Sequence, residues 1–423
     1  VPFPLAIQIH LQAFALPNMK GLLSHSSYNI TLNRTAQKEP DATMSEPAAP
    51  PPEPKPLPER IMSVDALRGF DMFWITGGKD MVVALLALFL GTLPPWLEFQ
   101  LEHVPWEGFV AWDMIMPLFL FIVGTSIPFA FRQRMLSGKG GPKIYLKIIR
   151  RVLILWVLGM IAQGHLLGSI KALDPSMLHF YSNTLQSIAA GYLVASLVVL
   201  NLPRWGQIVT TIVLLASYWL LLVLVPFPGH AAGVLEPHAN IAMWVDETIL
   251  GRFRDGTPYT WILSSLGFAA TVMLGVHSGQ ILQMERPQKT RLLWLMGMAL
   301  GCLAVGWLWS YSLPFIKHIW TSSMVLWAAG WSFLLLAFFY YVIDMKGFKK
   351  WAFPFMVVGM NAIAAYMGAP VILRLLESGL GLLCGGDLKG IGHILEAIFA
   401  TLSYAVVWAG LYLMYRKRWF VKI

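Results

Sequence analysis

Along most of this chain apolar residues come in unbroken runs separated by short charged stretches, with neither the alternation of a half-buried strand nor the single stripe of a soluble amphipathic helix. Ten runs approach the roughly 20 residues needed to cross a hydrocarbon core of about 30 Å: 61–78, 109–131, 144–167, 180–200, 206–226, 259–282, 291–311, 321–343, 352–373 and 391–415. Helices satisfy their own backbone polar groups in lipid, so the pattern predicts an all-α integral membrane protein of about ten transmembrane helices. A further run, Met81 to Leu93, is about 13 residues long and is followed by Pro-Pro-Trp. Too short to cross, it predicts a re-entrant or interfacial helix (81–93) on the outer face.

Charge then sets the orientation. Twenty of the 31 Lys and Arg residues fall in one set of alternate loops, among them seven from Arg132 to Arg151 and four from Arg416 to Lys422. The opposite set holds six: Lys171, Arg252, Arg254, Lys317, Arg374 and Lys389. This bias puts both termini in the cytoplasm and His103 outside. The composition, 57% hydrophobic and 13% charged, agrees with a polytopic membrane protein. The net charge of +9 does not point to nucleic acid, because the basic residues edge the inner helix ends, where anionic headgroups attract them. Cys302 and Cys384 form no disulfide framework.

Residues 45–58, S-E-P-A-A-P-P-P-E-P-K-P-L-P, read as an extended tether, so 1–60 is expected to be a disordered tail ahead of a ten-helix domain over 61–423. The apolar run Leu5 to Leu16 contains Gln and His and has no basic residue before it, which fits neither a signal nor a span; translation is expected to start at Met44. The largest outer loop, Pro226 to Pro258, carries His230, His238, Asp246, Glu247 and Asp255, and is expected to act as a lid or a docking surface.

Polar groups inside spans must be paired or face a cavity. Asp71, Gln163, His165, Gln186, His277, Asn361 and Glu396 are such groups. His103, in E-H-V-P-W-E-G, stands ten residues before Asp113, in A-W-D-M-I-M-P. Lys79, Asp80, His165, Lys317 and His318 lie toward the same outer side, and converging charges of both signs suggest a pocket. A neutral His held by a carboxylate can take a proton from an attacking amine or hydroxyl, or can itself attack an activated acyl group. Asp113 is the obvious orienting partner, with Glu102 and Glu107 as rivals; on pattern alone, an ordinary loop histidine is the plainer reading. His165 and His277 read as helix-packing hydrogen bonders. There is no G-x-G-x-x-G or Walker loop and no Cys/His cluster at metal-ligand spacing, so no metal is expected. Arg150, Arg151, Lys289 and Arg291 suit a nucleotide phosphate and a lipid headgroup equally.

Six blocks in order carry a resemblance: S-V-D-A-L-R-G (Ser63 to Gly69), H-V-P-W-E-G-F-V-A-W-D-M-I-M-P-L-F-L-F-I-V-G (His103 to Gly124), T-L-Q-S-I-A (Thr184 to Ala189), L-G-V-H-S-G-Q-I-L (Leu274 to Leu282), P-F-I-K-H-I-W-T-S-S (Pro314 to Ser323) and G-M-N-A-I-A-A-Y (Gly359 to Tyr366). Together they resemble the heparan-alpha-glucosaminide N-acetyltransferase family and its bacterial relatives. The resemblance implies a transmembrane acyltransferase that takes acetyl from cytoplasmic acetyl-CoA, as co-substrate, and delivers it to an amine or hydroxyl of an extracytoplasmic sugar or glycan. It also implies that His103 is the active-site histidine and Asp113 its carboxylate. Arg68, Trp106, Gln186, Lys317, Trp320 and Asn361 by block position, and Thr76, Lys79 and Asp80 at the outer end of the first span, are candidate residues of the substrate or acetyl-CoA pocket. The family's animal members carry an Asn near the outer end of the first span and a D-P-E-G in the large loop. Here Thr76-Gly-Gly-Lys-Asp leads into a 22-residue insertion, and Asp255-Gly-Thr-Pro-Tyr259 replaces the loop motif. These departures sit on the acceptor side, so an envelope amino sugar in a bacterial inner membrane is the expected setting. Membrane lipid and a second copy of the chain are the remaining expected partners.

Two other classes compete. A ten-helix transporter would line a solute path with the same polar residues, although neither an internal repeat nor a matched pair of broken helices stands out. A catalytically silent membrane scaffold would explain the altered exit from the first span.

Overall fold

The computed structural model describes residues 61–136, 141–172, 174, 178–384 and 392–421. The expected tail, its start at Met44 and Lys389 lie outside the described residues, as do the side chains of His165 and Cys384. Fifteen α-helices, several short 3-10 and π-helical turns and one hairpin of two-residue strands make up the described fold. Among the described residues eight helices are long and apolar enough to cross a membrane, nine if one bent pair counts as a span. This is an all-α integral membrane protein. Of the ten expected spans, the one at 144–167 is outside that count. Its helix α5 (Lys143–Ala162) carries Lys143, Lys147, Arg150 and Arg151 in its first half, which dilutes its apolar character although its length suffices.

The first helix differs most from expectation. α1 (Met62–Phe73) passes through a π-helical turn, Trp74–Gly78, into α2 (Lys79–Leu90). Thr76 and Gly77 leave helical dihedrals there, Gly77 at φ +104°, which a side-chain-bearing residue rarely adopts. The chain is therefore kinked at this turn, and the run at 81–93 forms a second helix, α2, entered directly from the first. A short helix, α3 (Pro95–Leu101), follows, and its Trp96 and Phe99 are exposed.

At the centre stand α4 (Ile115–Leu136), α7 (Thr184–Asn201), α10 (Ser265–Leu282) and α12 (Ser322–Phe339), whose side chains supply much of one large buried cluster. α10 is buried almost all round, as a helix apolar on every face should be. Its L-G-V-H-S-G segment puts Gly275 and Gly279 four residues apart on the side that meets α4. A Cβ on Gly275 would come within 2.0 Å of Phe121 O, and one on Gly124 within 1.9 Å of Val272 O. The two backbones touch, and Thr125 Oγ1 and Ser278 Oγ, 2.7 Å apart, hydrogen-bond across the contact. Lipid supplies no hydrophobic drive between helices, so small residues that permit such close approach do the joining.

Around this centre lie α8 (Arg204–Leu224), α11 (Gln288–Ser310) and α15 (His393–Arg416), which expose rows of large apolar side chains such as Ile208, Ile212, Leu293, Leu300, Leu308, Ile398 and Leu402. Apolar surface on this scale suits lipid rather than water. His277 of α10 meets Thr211 of α8 at 3.0 Å, a packing bond between helices. α13 (Phe353–Met360) and α14 (Ala362–Cys384) meet at a bend of 92° at Asn361. At the end of the bundle near His103, α6 (His165–Ala172), the hairpin β1 (Leu235–Glu236) and β2 (Ala239–Asn240), and α9 (Ile241–Leu250) complete the chain.

Substituting Gly275→Val should drive α4 and α10 apart and cost well over ~2 kcal/mol, the upper range for overpacking. The expected outcome is loss of the monodisperse peak in detergent size-exclusion chromatography, whereas Gly301→Ala, with open space around it, should elute as wild type.

Candidate active site

Three separate stretches meet at one carboxylate. Asp113 lies in the 3-10 turn Ala111–Met114 that opens α4, and its Oδ2 accepts from Val110 N at 3.4 Å. Its Oδ1 takes His103 Nδ1 at 2.7 Å and Lys317 Nζ at 3.1 Å. Lys317 Nζ is also 3.2 Å from His103 Nδ1. Two acceptors do not approach to 2.7 Å, so Nδ1 carries the proton given to Asp113, and in the neutral ring the lone pair lies on Nε2 at the far edge. The side chains of Asp113 and Lys317 are 2% and 9% exposed, while that of His103 is 46% exposed. A buried ion pair thus stands behind an accessible imidazole.

Local structure explains how Lys317 arrives there. Between α11 and α12 the chain reverses through P-F-I-K-H-I-W-T-S-S, and its own hydroxyls close the turn. Thr321 Oγ1 donates to Pro314 O at 2.8 Å and accepts from Ile316 N at 3.1 Å, while Ser323 Oγ donates to Leu313 O at 2.6 Å. Tyr218 OH donates to Ile319 O. A small second core of Tyr218, Leu222, Phe227, Ile241, Leu313, Ile316 and Ile319 lies beneath it. The loop after His103 joins this turn by a bridge of Glu107 with Ile316 and by Gly108 N donating to Phe315 O at 2.8 Å. Gly108 has φ +126° and is the residue type this register needs.

His103 and Lys317 line a cavity of about 330 Å³ with Ile75, Trp112, Ile115, Met116, Gln163, Ser182, Thr184, Asp255, Thr257, Tyr259 and Trp261. The expected lid loop therefore contributes to the site, through Asp255 and Thr257 near its end. Asp246 anchors the chain just beyond that loop, accepting from Trp261 N at 2.7 Å and Ile262 N at 3.0 Å. Burial pushes the Asp246 carboxyl up to about 6 against those backbone bonds. Trp261 Nε1 is buried without a partner, an unused donor in the wall. Burial pushes the Tyr259 hydroxyl up to about 12, with the charge of Asp113 adding to it, so it stays protonated. Burial also lowers Lys317 from the ordinary lysine value, with Asp113 opposing the shift.

Of the expected site residues, the structure brings His103, Asp113 and Lys317 together. Lys79 joins their edge: Nζ lies 4.3 Å from the centre of the Trp112 ring, which is itself 6.3 Å from the His103 ring. The others do not line this cavity. Asp80 is exposed. Thr76 is buried in the π-helical turn, donating to Met72 O at 2.9 Å. Arg68 donates to Ser126 Oγ at 2.7 Å, 13 residues and so about 20 Å along α4 from Asp113. Trp106 donates to Leu235 O at 2.8 Å and stacks on His318. Gln186 is buried and shapes the wall indirectly, holding Phe180 O and Ser182 N. Trp320 is a core residue at φ +52°, donating to Thr271 Oγ1 at 3.1 Å. Asn361 sits at the α13–α14 bend, where its Oδ1 accepts from Val421 N at 3.2 Å. Tyr259, Trp261 and Trp112 were missed as wall residues, and only the aromatic density of their segments hinted at them. Among the described residues no three His, Cys, Asp or Glu side chains converge as metal ligands would.

A second cavity, of about 430 Å³, lies at the opposite end of α4, lined by Arg132, Gln283, Gln288, Arg291 and Lys349 together with Glu285 and Asp344. Arg132 and Asp113 are 19 residues apart, about 28 Å along the helix and close to the thickness of a bilayer core.

Fold and site together define an integral membrane protein with a carboxylate-held His–Lys pair at one end of its bundle. No family model matches the chain. Two curated proteins do, at a distance: it resembles mouse heparan-alpha-glucosaminide N-acetyltransferase, 25% identical over an alignment of 475 residues, and the human protein of that name, 25% over 426. The alignments take in 97% and 87% of this chain, which spans 69% of the mouse protein and 60% of the human one. The likeness is to N-acetyltransferases.

His318, beside Lys317, packs against Trp106 and Tyr259, and its Nδ1 has no partner. Burial and the neighbouring Lys317 charge lower it from 6.5 to about 4. Between those values the unfolded chain binds the proton and the folded one does not, so stability should fall as pH drops from about 6.5 through 4. The melting temperature should drop by at least several degrees over that range, and His318→Gln should flatten the fall; equal slopes would contradict this.

Proposed function

We propose that the protein transfers an acetyl group from acetyl-CoA, taken from the cytoplasmic side, to an amine or hydroxyl of a sugar or glycan on the opposite face of the membrane. The observation that carries the reading is the single Asp113 oxygen shared by His103 and Lys317, with His103 Nε2 left free at the cavity. The distant likeness to N-acetyltransferases supports the group transferred. The Lys and Arg bias of the loops supports the orientation, with both termini cytoplasmic. A bacterial inner membrane and an envelope amino sugar suit the altered acceptor side.

In this reading Nε2 takes the proton of the attacking nitrogen or oxygen as that atom bonds to the acetyl carbonyl carbon, and the C–S bond then breaks to release the thiolate of CoA. Asp113 holds the ring and compensates the imidazolium. Lys317 uses one donor on Asp113 and keeps others for the oxyanion that forms on the carbonyl. If His103 instead attacks first, Nε2 bonds the acetyl carbon as the C–S bond breaks and CoA leaves as thiolate; the acceptor then bonds that carbon, the bond to Nε2 breaks, and the acceptor's proton passes to the freed Nε2. The cavity lined by Arg132, Arg291 and Lys349 offers cations to the anionic head of the donor.

Purified protein incubated with acetyl-labelled acetyl-CoA and glucosamine should yield labelled sugar, and His103→Ala should lower that rate by about 100-fold or more. Asp113→Asn should fall between the two. A folded His103→Ala protein that transfers at the wild-type rate removes the reading.

A further inference from the structure

A third cavity, of about 480 Å³, lies behind the catalytic one, between α1, α4 and α12, and shares Trp112 and Ile115 with it. Its walls include the rings of Phe70, Trp74, Trp112, Trp327 and Trp331. In the same wall is Asp71, 1% exposed, with neither carboxylate oxygen hydrogen-bonded. An acid in the first span is costly in a membrane unless something meets it, and the proposed transfer makes no use of it. Trp331 is exposed on the lipid-facing side of α12, so the cavity has a rim toward the bilayer.

We propose that this cavity is a binding site for an amine carrying an apolar tail, with Asp71 as the counter-charge of its ammonium group. The chemistry is complementary on each count. A buried carboxylate lacking donors takes an ammonium, which has three. The surrounding indole and phenyl faces favour a cation by their quadrupoles and an alkyl chain by burial. A neutral amphiphile would leave Asp71 without a charge partner, and an anionic one would meet a like charge. The inference does not rest on acetyl transfer and stands or falls separately from it.

The test is titration of n-octylamine into the whole protein in dodecyl maltoside, followed by tryptophan fluorescence, with n-octanol as the uncharged control. Wild-type protein should bind octylamine saturably and at least ten-fold more tightly than octanol. The isosteric Asp71→Asn should remove that preference while octanol binding stays unchanged, and Trp331→Leu should weaken both ligands. The proposal is overturned if octylamine and octanol bind wild type alike, or if Asp71→Asn keeps the amine preference with an unchanged melting curve. The first comparison needs no variant, so it decides even if Asp71→Asn does not fold. Label transfer from acetyl-CoA, measured on the same samples, reports the other reading independently.

Discussion

The backbone contact between α4 and α10 fixes the depth at which everything else sits. With Gly124, Gly275 and Gly279 removing the side chains from the crossing, neither helix can slide without driving a carbonyl into its neighbour. α4 therefore presents its first turn, with Asp113, at a set height, and its last described side chain, Arg132, about a bilayer core away. α10 in turn carries Gly267 against the Trp320 ring, where a Cβ would come within 2.7 Å of Cδ1. The turn that delivers Lys317 is thereby seated on the same central pair.

On that base the charge arrangement is economical. One oxygen of Asp113 compensates a buried ammonium and orients an imidazole, while the other accepts from the backbone. Neither Lys317 nor Asp113 would be stable so deeply buried alone, because removing one partner of a buried pair leaves an uncompensated charge. The geometry of His103 is thus tied to the folding of the 314–323 turn, far away in sequence. Loss of Lys317 would disturb the orientation of the imidazole as well as the charge in the cavity.

Much of this could be read from residue order. Most apolar runs fall on single helices, although 352–373 divides between α13 and α14 and 144–167 between α5 and α6, and the blocks hold His103, Asp113 and Lys317. Sharing a block does not mean sharing the cavity at His103. Trp320 follows Lys317 by three residues, yet a left-handed backbone turns it into the core. Asn361 lies in a matching block, but its segment bends by 92° and serves the C-terminal chain. Gln186 acts on the wall through the backbone of 180–182 rather than from it. Conversely Asp255, Thr257, Tyr259 and Trp261 come from a segment without periodicity, where placement depends on tertiary anchors such as Asp246 that no spacing rule reveals. The junction of α1 with α2 was hidden because a π-helical turn is a local backbone event, marked only by two glycines.

The self-closure of the 314–323 turn separates two jobs that active sites often confound. The Thr321 and Ser323 hydroxyls are satisfied by Pro314 O and Leu313 O and that of Ser322 by Leu215 O of α8, so the polar closure of the turn does not draw on the 226–258 loop, which adds Phe227 and Ile241 to the apolar core beneath it. That loop can then change length and lining without dismantling the Asp113 cluster. A scaffold divided in this way lets the lining of the cavity vary while His103, Asp113 and Lys317 stay in register.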